Sequence, residues 1–286
     1  MAMGEDGVTR PDGTVHIAVV DSETTGLDPQ TDEVIGLGLL CVRVERWRGQ
    51  VLGVVGSAFE WQEPMVYSED TQAVTQVPRH HLAGRRFNRQ KIDALLAQTD
   101  LVVAHNAAFQ RAFLTPLFSQ LGQLRWACSL ADIDWRLGQN VPYPSIDGLL
   151  KAYSFGPTDK TPEGDCHALV RILSQLLPES LETGFHRLIV ASERVAVECV
   201  VPDEEEEAKA GLHLLGFERQ GSRWVARCED AAAALGLEMR VIDRAVGNPA
   251  FAHLRMWRVD AVSRFGTVVD TSSLSGAVAA TAPGGV

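Results

Sequence analysis

The chain has 286 residues, of which 45% are hydrophobic and 22% charged, and its formal net charge at pH 7 is −11. This composition predicts a globular protein with one sizeable core and a smaller second unit, and no apolar run approaches the roughly 20 residues of a membrane span. The acidic balance argues against avid non-specific binding to nucleic acid, although local basic patches count for more than the total.

The start of the chain lacks the basic flank and apolar core of a signal peptide, so we expect a cytoplasmic protein. The five cysteines are scattered and form no C-x-x-C pair. This spacing predicts reduced, mostly buried thiols and not a zinc site.

The first part of the chain predicts strands that are followed by strands alternating with helices. Residues 1–12 are expected to form a loose arm. The predicted strands lie at 14–21, 34–44, 51–61, 101–106 and 126–131, and the predicted helices at 107–114, 145–153 and 163–177. This order describes an α/β layer in which the first three strands form an antiparallel meander at one edge.

Beyond Pro178 the pattern changes to that of a small α+β domain at 181–266. Its predicted strands are at 188–201, around Trp224 and at 254–262, and its predicted helices begin at the acidic run 203–207 and at 231–235. The Ser, Gly, Ala and Thr composition from 267 to 286 predicts a disordered tail.

An acidic pair stands at the end of the first predicted strand. Asp21 and Glu23 point to one face because side chains alternate along a strand, and Ser22 points to the other. Two carboxylates on one face raise each other's pKa, and a divalent cation between them removes that repulsion. The pair therefore predicts Mg²⁺ or Mn²⁺ as cofactor; two solvated acids at a strand end are the alternative.

The run from Val19 to Pro29 resembles the first motif of the DEDD 3′–5′ exonucleases, the DnaQ-like, proofreading-exonuclease-like branch of the ribonuclease H-like fold. Residues 105–110 match the second motif, H-N-x-x-F-D, except that Gln110 stands at the acid. Residues 160–165 match the third, H-x-A-x-x-D, with the acid kept and a lysine in place of the histidine. The resemblance implies an α/β fold with a ribonuclease H-like mixed sheet flanked by helices over residues 13–180.

The resemblance also implies a metal-dependent phosphodiesterase site. In this family two metal ions lie between four carboxylates, and a histidine takes a proton from the attacking water. Asp21, Glu23 and Asp165 are the implied metal ligands, and Gln110 can offer a carbonyl oxygen, which is a weaker ligand than a carboxylate. Lys160 replaces the base, and a lysine serves poorly as a base near neutral pH unless burial or nearby metals change its protonation.

Residues around these motifs are implied substrate contacts. By resemblance, Thr24, Gly26 and Leu27 lie against the terminal nucleotide, although Gly26 could instead be required by a turn with positive φ. Asn106 is a further implied contact, and it could equally cap the following helix.

The segment 79–91 concentrates five Arg or Lys residues and two histidines without an acid. Its Arg79, Arg85 and Arg86 predict a phosphate-contacting edge beside the site. A solvated loop and helix start is the alternative.

These features predict a 3′–5′ exonuclease that acts on the 3′ end of DNA or RNA, with no membrane partner. Because two catalytic positions are altered, the alternative is a pseudo-exonuclease that binds nucleic acid or protein without turnover. In a third interpretation the C-terminal domain recruits a protein partner and the exonuclease fold is its scaffold.

Overall fold

The computed structural model describes residues 9–136, 141, 144–246, 248–251 and 253–266. The predicted tail and most of the predicted arm lie outside the described residues. The chain divides into two compact units between Ser192 and Glu193, whereas the sequence placed the change of domain after residue 180.

The first unit is built on a five-stranded mixed sheet. Its strands are β1 (Thr14–Thr24), β2 (Val34–Glu45), β3 (Val51–Trp61), β4 (Leu101–Ala104) and β5 (Arg125–Cys128). The spatial order is β3-β2-β1-β4-β5, with β1, β2 and β3 antiparallel and β4 and β5 parallel to β1. Short turns join the antiparallel strands, and helical connections carry the chain to the parallel ones, as the geometry of each pairing requires.

Eight helices surround this sheet within the described residues. They are α1 (Glu69–Thr75), α2 (Arg79–Leu82), α3 (Arg89–Leu96), α4 (Ala107–Leu114), α5 (Ser129–Asp132), α6 (Ile146–Ala152), α7 (Pro162–Leu173) and α8 (Gly184–Glu193), with a 3₁₀ helix at Ser119–Gly122. The sequence pattern predicts α4, α6 and α7, and the alternative for 79–91 includes a helix start, where α3 begins; α1 is not predicted. Apolar residues of β1, α7 and α8, among them Val19, Leu169 and Phe185, meet in one buried core.

The predicted strand at 188–201 is wrong in its first half. Residues up to Glu193 belong to α8, and the strand begins only at Val195. Phe185, Leu188 and Ile189 are all fully buried in the core of the first unit. Their spacing of three and four residues places them on one helical face, which a strand could not do.

The second unit is an α+β arrangement with its own core. It comprises β6 (Val195–Val200), α9 (Glu206–Leu214), β7 (Glu218–Gln220), β8 (Arg223–Cys228), α10 (Ala231–Ala245), a 3₁₀ helix at Pro249–Phe251 and β9 (Arg255–Val259). The strands form an antiparallel sheet in the order β7-β8-β6-β9. Val197, Leu212 and Val241 belong to the apolar cluster of this unit.

Across the residues that the structure describes, no helix combines the length and apolar character needed to cross a bilayer. All five cysteines are free, and four of them are buried. The prediction of reduced, mostly buried thiols agrees with these positions.

Candidate active site

The candidate site lies where β1 ends, beside Asp21 and Glu23. Two glycines of the neighbouring strand β2 lack side chains there and so leave space beside these acids. Asp21 is paired with Gly38 across the β1–β2 ladder, and Glu23 with Gly36. A Cβ atom on Gly38 would clash with the carbonyl oxygen of Pro162, the first residue of α7. The absence of a side chain at Gly38 therefore lets the start of α7 rest directly on the sheet.

The first turn of α7 carries the third acid. Thr161 caps this helix, and its Oγ1 accepts a hydrogen bond from the amide of Gly164 at 3.1 Å. Asp165 follows in that turn, where the exposed amide groups of a helix start favour a negative charge. The cap and the close approach at Gly38 together place Asp165 on the side of the sheet where Asp21 stands.

The pKa of each of the three carboxyl groups is raised above its usual value. Burial raises the pKa of Asp21 well above its usual range, and the charges of Asp165 and Glu23 add to the shift. Burial and the charge of Asp165 also raise the pKa of Glu23. The pKa of Asp165 is raised by burial, a shift that Lys160 opposes and Asp147 reinforces. Acids from two distant parts of the chain thus share one electrostatic environment.

This donor set suits a hard divalent cation. The buried Oδ1 of Asp165 has no hydrogen-bond partner among the described atoms, and an unpaired buried oxygen is destabilising unless a proton or a cation meets it. Among the residues that the structure describes, no three His, Cys, Asp or Glu side chains already stand in a metal-holding geometry. Asp21, Glu23 and Asp165 are the carboxylates that would hold such an ion.

Gln110 orients Asp21. Its side chain is 5% exposed and projects from α4, and its Nε2 donates to Asp21 Oδ1 at 3.0 Å. Its Oε1 accepts a hydrogen bond from Ser22 Oγ at 2.7 Å. The motif comparison predicts that this amide offers its carbonyl oxygen to a cation. The structure instead turns the carbonyl toward Ser22, because only the amide N–H group can pair with a carboxylate.

Lys160 lies at the open side of the site. Its side chain is 67% exposed, and its ammonium group forms an ion pair with Asp147 in the first turn of α6. The burial that would let this lysine act as a base is therefore missing. Sequence analysis did not single out Asp147. The sequence feature that could have pointed to Asp147 is the helix cap at Ser145. The Oγ of Ser145 accepts a hydrogen bond from the amide of Gly148 and so fixes where α6 begins.

The turn after β1 presents one large apolar side chain to solvent. Leu27 is 85% exposed, and Thr24 Oγ1 donates to the carbonyl of Gly26 at 2.6 Å. Gly26 does not have a positive φ, so that explanation for the glycine is wrong. A Cβ atom there would clash with the carboxylate of Asp32, which accepts from the amide of Asp28 and closes the turn.

The His105–Asn106 pair has structural partners. His105 is held between Pro144 O, 2.5 Å from Nε2, and Ser129 Oγ, 2.7 Å from Nδ1, and burial lowers its pKa. Because a carbonyl only accepts, Nε2 carries the proton and Nδ1 accepts from the hydroxyl. Asn106 caps α4, its Oδ1 accepting from the amide of Phe109 at 3.3 Å.

The basic segment is exposed and contacts the chain just after β3. Arg79 belongs to α2, and Arg85 and Arg86 lie in the turn that follows it. Arg86 Nη1 donates to the carbonyl of Glu63 at 3.1 Å, and the Glu63 carboxylate accepts from the amide of Gly84. The guanidinium groups are therefore on the surface, where a polyanion can reach them.

A mixed sheet in the order β3-β2-β1-β4-β5, with acids at the end of its central strand and on a late helix, defines a ribonuclease H-like domain. The fold class predicted from the sequence is confirmed. No family model matches the chain.

Part of the chain is similar to two proteins described as DNA polymerase III PolC-type. The protein of Thermotoga maritima is 28% identical over 144 residues, which are 50% of this chain and 9% of the relative. That of Thermotoga petrophila is 28% identical over 138 residues, which are 48% of this chain and 9% of the relative. The match thus spans a small part of much longer proteins.

Solved exonuclease structures are also similar to the chain. Exonuclease X in complex with 5′ overhanging duplex DNA has a TM-score of 0.43 and 20% identity, over 60% of this chain and 97% of that one. A full-length 3′-exonuclease has a TM-score of 0.42 and 13% identity, over 59% of this chain and 62% of that one.

Proposed function

We propose that the first unit is a 3′–5′ exonuclease domain that hydrolyses terminal phosphodiester bonds of DNA or RNA with Mg²⁺ or Mn²⁺. The observation that carries the proposal is the shared environment of Asp21, Glu23 and Asp165, in which each carboxyl pKa is raised and one buried oxygen is unpaired. The similarity of half of the chain to DNA polymerase III PolC-type proteins favours nucleic acid as the substrate.

The three acids would hold the cation. When bound, it supplies positive charge that neutralises the acids and polarises a phosphoryl oxygen. Gln110 keeps Asp21 in place through its N–H group. Lys160 is largely exposed to solvent beside Asp147, so we assign it to binding a substrate phosphate.

The surrounding surface would hold the 3′ end. The exposed Leu27 offers an apolar face to the terminal base, and Thr24 and Gly26 shape the turn that carries it. Asn106 would contribute indirectly, as the cap of α4. Arg79, Arg85 and Arg86 supply an exposed cationic edge along which phosphates can lie.

A pseudo-exonuclease is the second candidate function. Two contacts favour it: the amide of Gln110 is hydrogen-bonded to both Ser22 and Asp21, and Lys160 is paired with Asp147. Removing a positioned base costs roughly 10²–10⁴ in rate. Such a protein would bind a 3′ end and hydrolyse it at a rate reduced by that factor.

Incubation of end-labelled single strands of DNA and RNA with Mg²⁺ or Mn²⁺ separates these functions. The proposed exonuclease shortens strands from the 3′ end, and Asp21→Ala abolishes the activity. Shortening by a Gln110→Asp, Lys160→His double variant alone, with binding but no cleavage by the natural protein, would support the pseudo-exonuclease.

The second unit is proposed to bind a protein partner. Its α10 exposes Leu235 and Met239, which lie one turn apart on the same face. Retention of the same cellular complexes by a chain without residues 193–286 would contradict this role.

A further inference from the structure

We infer that the site binds a single divalent cation, because the side-chain amide of Gln110 occupies the position from which a fourth carboxylate would hold a second ion. The inference rests on the proposed function and concerns the stoichiometry of its metal site. Three contacts support it: the two hydrogen bonds of Gln110 and the ion pair of Lys160.

The orientation of the Gln110 amide is set by its two partners. A carboxylate that binds a cation is ionised and only accepts hydrogen bonds, so in the metal-bound site the Gln110 group that faces Asp21 is the Nε2 donor. The Ser22 hydroxyl, 2.7 Å from Oε1, donates to the other end of the same amide. Rotating the amide by half a turn would set its oxygen against the carboxylate of Asp21. The amide therefore presents hydrogens, which cannot ligate a cation, to the interior of the site.

The hydrogen bond from Gln110 also limits how many cations Asp21 can bind. Its Oδ1 accepts from Gln110 at 3.0 Å, which commits lone-pair density that a bridging carboxylate would share between two ions. A second ion would also need a carboxylate of its own, because Mg²⁺ and Mn²⁺ prefer charged oxygen ligands. Gln110, the α4 residue at this position, is neutral and 5% exposed. Water therefore has little access to act as a ligand where the carboxylate is missing.

Lys160 adds a second obstacle. Its charge acts on Asp165, whose pKa it lowers against the effect of burial. An ammonium group near Asp165 repels a second divalent ion. Asp147 holds that ammonium in place and is itself paired. The carboxylates that remain for metal are thus Asp21, Glu23 and Asp165, with charge sufficient for one divalent ion beside the lysine.

Manganese binding to the full chain tests this inference without reference to activity. The number of Mn²⁺ ions bound per chain is measured from the electron paramagnetic resonance signal of free Mn²⁺, with calorimetric titration as a second readout. We expect one ion for the natural protein and two for Gln110→Asp. Gln110→Met, which has similar size and adds no carboxylate, is the control and is expected to bind one.

Two ions on the natural protein would overturn the inference and leave the proposed nuclease standing. No ion on the natural protein would overturn both. Because an added carboxylate beside Asp21 can destabilise the metal-free fold, circular dichroism with and without Mn²⁺ checks that Gln110→Asp is folded. One ion on a folded Gln110→Asp variant would also contradict the role given to Gln110.

Discussion

Gln110 stands where family resemblance calls for an acid, and its contacts give it a different task. It donates to Asp21 and accepts from Ser22, so it orients the Asp21 carboxylate. Lys160 likewise stands where a base is expected, and it forms an ion pair with Asp147 at the surface. At both positions the residues that contact the side chain determine what it can bind.

The raised pKa values predict how stability depends on pH when no metal is present. A carboxyl whose pKa is raised on folding, as at Asp21, stabilises the fold fully below its unfolded value of about 3.9. That contribution is lost as pH rises through the folded value. We expect the free energy of unfolding in EDTA to fall as pH rises above about 4, by about 1.4 kcal/mol for each unit by which the pKa of Asp21 is raised.

Asp21→Asn is the matched comparison for this effect. It keeps the size of the side chain and the partner for Gln110 but cannot ionise. Urea unfolding of both proteins across the pH range should show a difference that grows with pH in favour of the variant. Addition of Mn²⁺ should stabilise the natural protein more at pH 8 than at pH 5. A pH-independent difference would contradict the raised pKa.

Lys160→Met is predicted to strengthen metal binding. The variant removes a positive charge that acts on Asp165 and leaves Asp147 without its partner. Because the lysine is largely exposed, solvent screens the effect, and we expect a gain of a few-fold in Mn²⁺ affinity. Calorimetric titration at low and high salt measures it. Unchanged affinity at low salt would show that the ammonium does not act on the site.

At the scale of secondary structure, the site depends on how closely α7 approaches the sheet. Gly38 on β2 allows this approach, because a Cβ there would clash with the carbonyl oxygen of Pro162. Thr161 then caps the helix and fixes where its first turn begins. Asp165 owes its position to this packing.

Gly38→Ala is therefore predicted to damage both stability and the site. We expect a loss of about 1–3 kcal/mol in the free energy of unfolding, because the helix must move away from the sheet. Mn²⁺ affinity should fall as well, since Asp165 moves with the helix. Gly53→Ala is the control, because a Cβ on that residue of β3 meets nothing within 4 Å. Equal stability and equal Mn²⁺ affinity of the two variants would contradict this account of Gly38.

At the scale of the whole molecule, the chain forms two units with separate apolar cores. The helix α8 belongs to the first of them, because Phe185, Leu188 and Ile189 are buried in its core. A Cβ on Gly184 would clash with Leu173, so α8 also lies tightly against α7.

This division predicts where the chain can be cut. A protein ending at residue 192 should fold cooperatively and bind Mn²⁺ like the full chain. One ending at residue 180 lacks α8 and exposes the core against which it packs, and we expect it to lose several kcal/mol of stability. Thermal unfolding followed by circular dichroism compares the two. Equal melting temperatures would place the domain boundary nearer residue 180.

The sequence by itself determined most of the strands, the meander and the ribonuclease H-like class, because alternation, turn residues and short motifs are local signals. The metal-binding role of the acids at 21, 23 and 165 stays a prediction. The sequence misassigned the start of the 188–201 segment, since an apolar run of that length suits a strand as well as a buried helix. It also offered no way to know which end of the Gln110 amide faces Asp21, or that Asp147 pairs with Lys160. Those contacts join residues brought together only by packing, and tertiary structure alone decides them.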